Sequence, residues 1–153
     1  MISNNDILRR IRYIFDLGDD DMINIFSEAD FVVKRSQVSE WLKKDDDPEK
    51  RDISDQYLAA FLNGVINLKR GKKEGRQPIP EKRLNNNLVL RKLKIALNLR
   101  DEDIIAIFKL TGAQISKPEL SAFFRKPGHQ KYRDCQDQYL RNFLKGLQLK
   151  YRP

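Results

Sequence analysis

Cys135 and His129 are the only cysteine and the only histidine in this chain of 153 residues. One cysteine makes no internal disulfide, so the sequence predicts a protein that folds in a reducing compartment. Neither Cys-x-x-Cys nor His-Glu-x-x-His occurs, and no metal or cofactor is expected. The glycine-rich phosphate loops and the Gly-x-Ser-x-Gly elbow are missing too. A Cys–His pair would be one way to activate a thiolate. Yet the positions that correspond to His129 and Cys135 in the internal repeat described below hold Asp47 and Ile53, and the apolar counterpart points to packing for Cys135. The expectation is a protein that is not an enzyme and has no small-molecule substrate.

Long apolar runs are also lacking. None approaches the ~20 residues needed to span a bilayer. The start is interrupted by Asp6, Arg9, Arg10 and Arg12, which is not the form of a signal peptide. The expected location is the cytoplasm, away from membranes. No segment alternates with period two for long enough to make a convincing strand, so the fold class expected is all-α.

What is present is a sequence written twice. Asn4-Asn5-Asp6-Ile7-Leu8-Arg9 returns as Asn86-Asn87-Leu88-Val89-Leu90-Arg91, an offset of 82 that continues without a gap. Arg51-Asp52 matches Arg133-Asp134, Asp55-Gln56-Tyr57-Leu58 matches Asp137-Gln138-Tyr139-Leu140, and Gly64 matches Gly146. Such repetition fixes architecture. It predicts a first helical repeat over 1–70, a basic linker containing glycine and proline over 71–85, and a second, strongly basic repeat over 86–153. Each repeat lies near the lower size limit for a self-sufficient core.

Each repeat reads as about four helices. In the first, Ile7, Leu8, Ile11, Ile14 and Phe15 recur at helical spacing, with Arg9, Arg10 and Arg12 largely on the other side. Ser3 or Asn4, and Asn85 or Asn86, are its candidate caps. The second helix opens on Asp19-Asp20-Asp21 or Asp101-Glu102-Asp103, read as capping carboxylates because the glycine and terminal glutamate of a calcium loop are absent. The third starts after Ser36 or Ser116, where Ser116-Lys117-Pro118-Glu119 has capping-box form. Trp41, the lone tryptophan, is assigned to the core. The fourth helix takes Asp52 and Asp134 as caps, with i,i+4 ion pairs expected for Arg51/Asp55 and Arg133/Asp137. Gly64 and Gly146 fall inside it, where glycine costs about 1 kcal/mol against alanine. A close approach of another helix would explain them.

These residues carry a resemblance. The Asn-Asn-x-[Ile/Val]-Leu-Arg openings, the Arg-Asp-x-x-Asp-Gln-Tyr-Leu element, the trailing Phe-Leu-x-Gly and the stretch Arg83-Leu84-Asn85-Asn86-Asn87 resemble the YehS family of small bacterial proteins. The resemblance covers essentially the whole chain. It implies a bacterial cytoplasmic protein with a duplicated helical domain. The family's function is unknown, so it supplies no catalytic residues.

Charge divides the two repeats. Residues 1–82 hold 15 Lys and Arg against 16 Asp and Glu, a net −1, whereas residues 83–153 hold 15 against 6, a net +9. The excess fits an acidic partner for the second repeat, or serves solubility alone. The second and third helices of each repeat look like a helix-turn-helix, although the connection from Phe108 to Ser116 is longer than a compact one has. On this reading nucleic acid, DNA or RNA, is the leading partner. The candidate contacts are Arg91, Lys92 and Lys94 on one helix, with Lys117, Arg125, Lys126, Lys131 and Arg133 on another surface. Tyr132 is a candidate to stack on an unpaired base. The first repeat has Asp45-Asp46-Asp47-Pro48-Glu49 in the equivalent loop, which phosphates would repel. The competing class is a protein–protein module or a homodimer, with the acidic loop of one copy against the basic surface of another.

Overall fold

The computed structural model describes residues 2–153. Among them are eight α-helices and no strand. They fall into two compact units, residues 2–84 and 85–153. The first holds α1 (Asn4–Ile14), α2 (Asp19–Glu28), α3 (Arg35–Trp41) and α4 (Asp55–Arg70). The second holds α5 (Asn86–Ala96), α6 (Asp101–Lys109), α7 (Lys117–Phe123) and α8 (Asp137–Tyr151). Every helix of one unit starts 82 residues before its counterpart in the other, as the repeat requires.

The caps explain where the helices begin. Ser3 and Asn85 accept from the amides of Asp6 and Leu88 at the starts of α1 and α5. Asp21 and Asp103 reach back to the amides of Gly18 and Arg100, each at 2.8 Å, so the acidic triplets are caps. Ser116 and Glu119 close a reciprocal box at 3.2 and 3.0 Å. Three expected caps, Ser36, Asp52 and Asp134, differ in the structure. Helix α3 is capped at Lys34 and not after Ser36, with Gln37 accepting from the Lys34 amide at 2.8 Å. Helices α4 and α8 are capped at Ser54 and Gln136, both extended, and not at Asp52 and Asp134; the amides of Ile53 and Cys135, just past those aspartates, go instead to the side chains of Asn5 and Asn87.

Inside the first unit Phe26, Trp41 and Phe61 are buried, and Trp41 lies 5.6 Å from Phe26 and 5.4 Å from Tyr57 between ring centroids. In the second, Phe108, Phe123 and Phe143 take those positions against Tyr139. Trp41 is thus a core residue. The two mid-helix glycines mark close approaches between helices. A Cβ on Gly64 would lie 1.9 Å from the carbonyl oxygen of Ile25 on α2, and one on Gly146 would lie 2.3 Å from that of Ile107 on α6. No side chain fits there, which is why glycine's helix penalty is tolerated.

Among the described residues the expected ion pair Arg51/Asp55 does not form. Arg51 bonds the carbonyls of Pro48 and Lys50, and Arg133 that of Tyr132. Asp55 and Asp137 accept from the side chains of Asn4 and Asn86, at 2.7 and 2.8 Å. The neighbouring asparagines complete a clamp. Asn5 donates to the carbonyls of Trp41 and Arg51 and accepts from the amide of Ile53. Asn87 does the same with Phe123, Arg133 and Cys135. The recurrent Asn-Asn and Arg-Asp-x-x-Asp elements are two halves of one knot.

Of the segment expected as a linker, residues 71–84 contain no helix and belong to the first unit, while Asn85 caps α5 of the second. Buried Gln77 accepts from Asn67 and donates to the carbonyl of Lys73, each at 2.8 Å. Lys72 pairs with Asp30 at 2.8 Å, and the amide of Leu84 donates to Asp55.

Candidate nucleic-acid interface

The loop between α7 and α8 is held close to α7, since the amide of Arg133 donates to the carbonyl of Ala122 and the amide of Tyr132 to that of His129. That placement brings Lys131 and Arg133 beside Lys117 and Arg125. The four line one open groove of about 580 Å³ together with Pro118, Glu119, Ser121 and Ala122. Glu119 is the one carboxylate in this lining, and its bonds to the Ser116 hydroxyl and amide hold its carboxyl below the usual range. Lys117 has Glu102 at 3.7 Å, whereas Arg125 and Lys131 are exposed and make no ion pair among the described residues.

A second hollow, of about 190 Å³, adjoins Arg125 and is also lined by Asn85, Asn87, Leu88, Arg91, Phe123, Lys126, Pro127 and Tyr132. Arg91 reaches the carbonyl of Phe124. Tyr132 is half-buried and donates its hydroxyl to Asp134 at 2.9 Å. Burial first, then that carboxylate, push its ionisation above the ordinary phenol value, so the ring stays neutral. Lys94 sits 4.4 Å from the centre of the Phe124 ring and 3.6 Å from Asp101, in a third depression shared with Arg125.

Lys92 is a correction. It was expected on the outer face with Arg91 and Lys94, but only 9% of it is exposed. It follows Val89 by three residues and precedes Ala96 by four, and both are buried. Those spacings put its stem on the apolar side of α5. Lys117, Arg125, Lys126, Lys131, Tyr132, Arg133 and Arg91 are brought together, Lys94 lies alongside, and Lys92 is left out.

The first unit carries different chemistry on the same frame. Arg35, in the place of Lys117, bridges to Asp20 and to Asp19 at 3.6 Å. Glu40 and Glu49 stand where the second unit has Ala122 and Lys131. Asp45 takes Arg9 and Lys50, each at 3.3 Å, and Lys50 before Arg9 holds its carboxyl below the ordinary value. Leu88 and Pro127 were not among the residues singled out from sequence. Their signal was there in the aligned repeats, where Asp6 becomes Leu88 and Asp45 becomes Pro127.

Cys135 is buried, and burial followed by the charge of Asp137 pushes its thiol up to about 12. Among the described residues no cluster of His, Cys, Asp or Glu is arranged to hold a metal ion. No helix among them is long and apolar enough to cross a membrane.

No solved structure matches the chain. It is similar to the uncharacterized protein YehS of Escherichia coli (strain K12), 42% identical over 145 residues, covering 94% of this chain and 93% of that protein. The family described as "Protein of unknown function (DUF1456)" matches residues 4–71 and again 86–152, one match for each helical repeat. Its two copies together span nearly the whole sequence, and the chain therefore belongs to the DUF1456 family, which includes a tandem repeat of the helical domain here.

Proposed function

We propose that this chain is a non-catalytic nucleic-acid-binding protein whose second unit neutralises phosphates. The convergence of Lys117, Arg125, Lys131 and Arg133 on one groove supports the reading. Four cations against a single carboxylate make a local positive field with an open path for a phosphate backbone. Arg133 and Arg125 offer forked donors suited to phosphate oxygens, and the lysines act as point charges. The first unit lacks this concentration: Glu49 stands in the place of Lys131, and Arg35, in the place of Lys117, is paired with Asp19 and Asp20.

Fluorescence anisotropy with labelled oligonucleotides and the full chain, across a salt series, tests the proposal. Neutralising four phosphates predicts a slope of log K on log salt of about −3. The double substitution Arg125→Ala, Lys131→Ala reduces its magnitude by about 1.5. Absence of binding at low salt, or a slope unmoved by the double substitution, contradicts it.

A further inference from the structure

In the first unit, the corner between α1 and the loop after α3 closes on itself. The carboxylate of Asp45 sits between Arg9 and Lys50, and Asp6 lies 2.9 Å from Arg10. The second unit keeps the arginine, as Arg91, and replaces all three of its companions. Asp6 becomes Leu88, Asp45 becomes Pro127 and Lys50 becomes Tyr132. The internal anion is gone, apolar walls have come in, and a hollow of about 190 Å³ is left. Arg125 lines both this hollow and the groove beside it.

We infer that this hollow receives one unpaired base of a single-stranded nucleic acid whose backbone lies along the adjoining groove. The inference rests on the phosphate-binding reading above and names its substrate. The hollow is smaller than the ~300 Å³ at the low end of small-molecule sites. It suits one ring system of a longer ligand. Its lining asks for a flat group bearing negative charge nearby: Leu88, Pro127 and Tyr132 supply apolar and aromatic surface, and Arg91, Arg125 and Lys126 supply cations. A nucleotide has both parts. Stacking on a tyrosine is tolerant of base identity, and the ring is already fixed by its bond to Asp134. A base within a duplex reaches the hollow only by leaving its stack, so single strands bind better than duplex.

The second unit can be given the first unit's Asp45 and Lys50 beside its arginine without changing its net charge, by Pro127→Asp with Tyr132→Lys. Anisotropy of the full chain is measured at low salt with an oligo-dT strand, an oligo-U strand and a DNA duplex. The native chain is expected to bind both strands more tightly than the duplex. The double variant is expected to lose about tenfold on the strands and little on the duplex. Tyr132→Phe keeps the ring and is expected to stay within about twofold of the native chain, which separates stacking from a requirement for the hydroxyl. Far-UV circular dichroism confirms that each variant folds, and Tyr132→Leu repeats the strand test if the double variant does not. Equal affinity for strands and duplex, undisturbed by Tyr132→Leu or the double variant, overturns the base pocket while leaving phosphate binding intact. No binding of any of the three probes overturns both.

Discussion

Asn5 and Asn87 each tie three backbone groups to one buried side-chain amide. Truncation leaves two carbonyls and an amide without partners in a poorly hydrated place. Asn5→Ala is expected to destabilise the first unit by about 3 kcal/mol. Urea unfolding followed by the fluorescence of Trp41, a core residue of that unit, reads the shift; a change below about 1 kcal/mol contradicts the clamp. Cys135 gives a second residue-scale test. Its folded thiol ionises only near 12, above the ordinary value of 9.0. Between those values the unfolded chain releases its proton first, so this group's contribution to stability is complete below about pH 9 and falls as pH rises towards 12. At about pH 8 a disulfide reagent such as DTNB is expected to leave the folded protein unmodified and to label it in urea; rapid labelling of the folded form contradicts burial as the cause. The packing role of Cys135 was legible from its counterpart Ile53. The clamp was not, because its partners lie 36 to 51 residues apart and spacing along one helix suggests only local ion pairs.

At the scale of elements, Gly64 and Gly146 set the distance between the long helices and their neighbours α2 and α6. Helix propensity alone says that Gly64→Ala should stabilise α4 by about 1 kcal/mol. The carbonyl of Ile25 stands where the new methyl would go, and backbone yields less readily than a side chain. Net destabilisation of about 2 kcal/mol is expected, again read by Trp41 fluorescence in urea; a more stable protein would show that the helices can separate freely. Helix existence and order followed from apolar periodicity and the repeat, as did the reason for these glycines. Starts were less legible. Asp52 and Asp134 look like caps beside an acidic helix opening, but Asn5 and Asn87 take the amides of Ile53 and Cys135, and the helices begin after Ser54 and Gln136. The basic stretch after α4 reads as a free connection, and Gln77, a polar residue with no apolar periodicity around it, is what fastens it.

On the scale of the whole molecule, one scaffold was kept twice while the charge on it diverged. The helix positions repeat at the same offset, yet the neutral copy pairs Arg9, Arg35 and Lys50 with its own acids, whereas Arg125, Lys126 and Lys131 of the basic copy make no ion pair among the described residues. That partition was readable from the sequence, and so were most of the residues that gather around the groove. The exclusion of Lys92 and the hollow beside Arg91 depended on side-chain placement. Because Arg125 and Lys131 make no ion pairs among the described residues, their joint removal is expected to change the thermal midpoint little, by less than about 0.5 kcal/mol of stability, measured by circular dichroism; a large drop would assign them to the fold. The most direct test of phosphate binding by the second unit is a 1H–15N correlation spectrum of the full chain titrated with an oligo-dT strand. The account predicts that the amides moving most cluster at Lys117, Arg125, Lys126 and 131–133, with the equivalent positions of the first unit still. Shifts centred on residues 35–51, or a spectrum unchanged at saturating oligonucleotide and low salt, would contradict it.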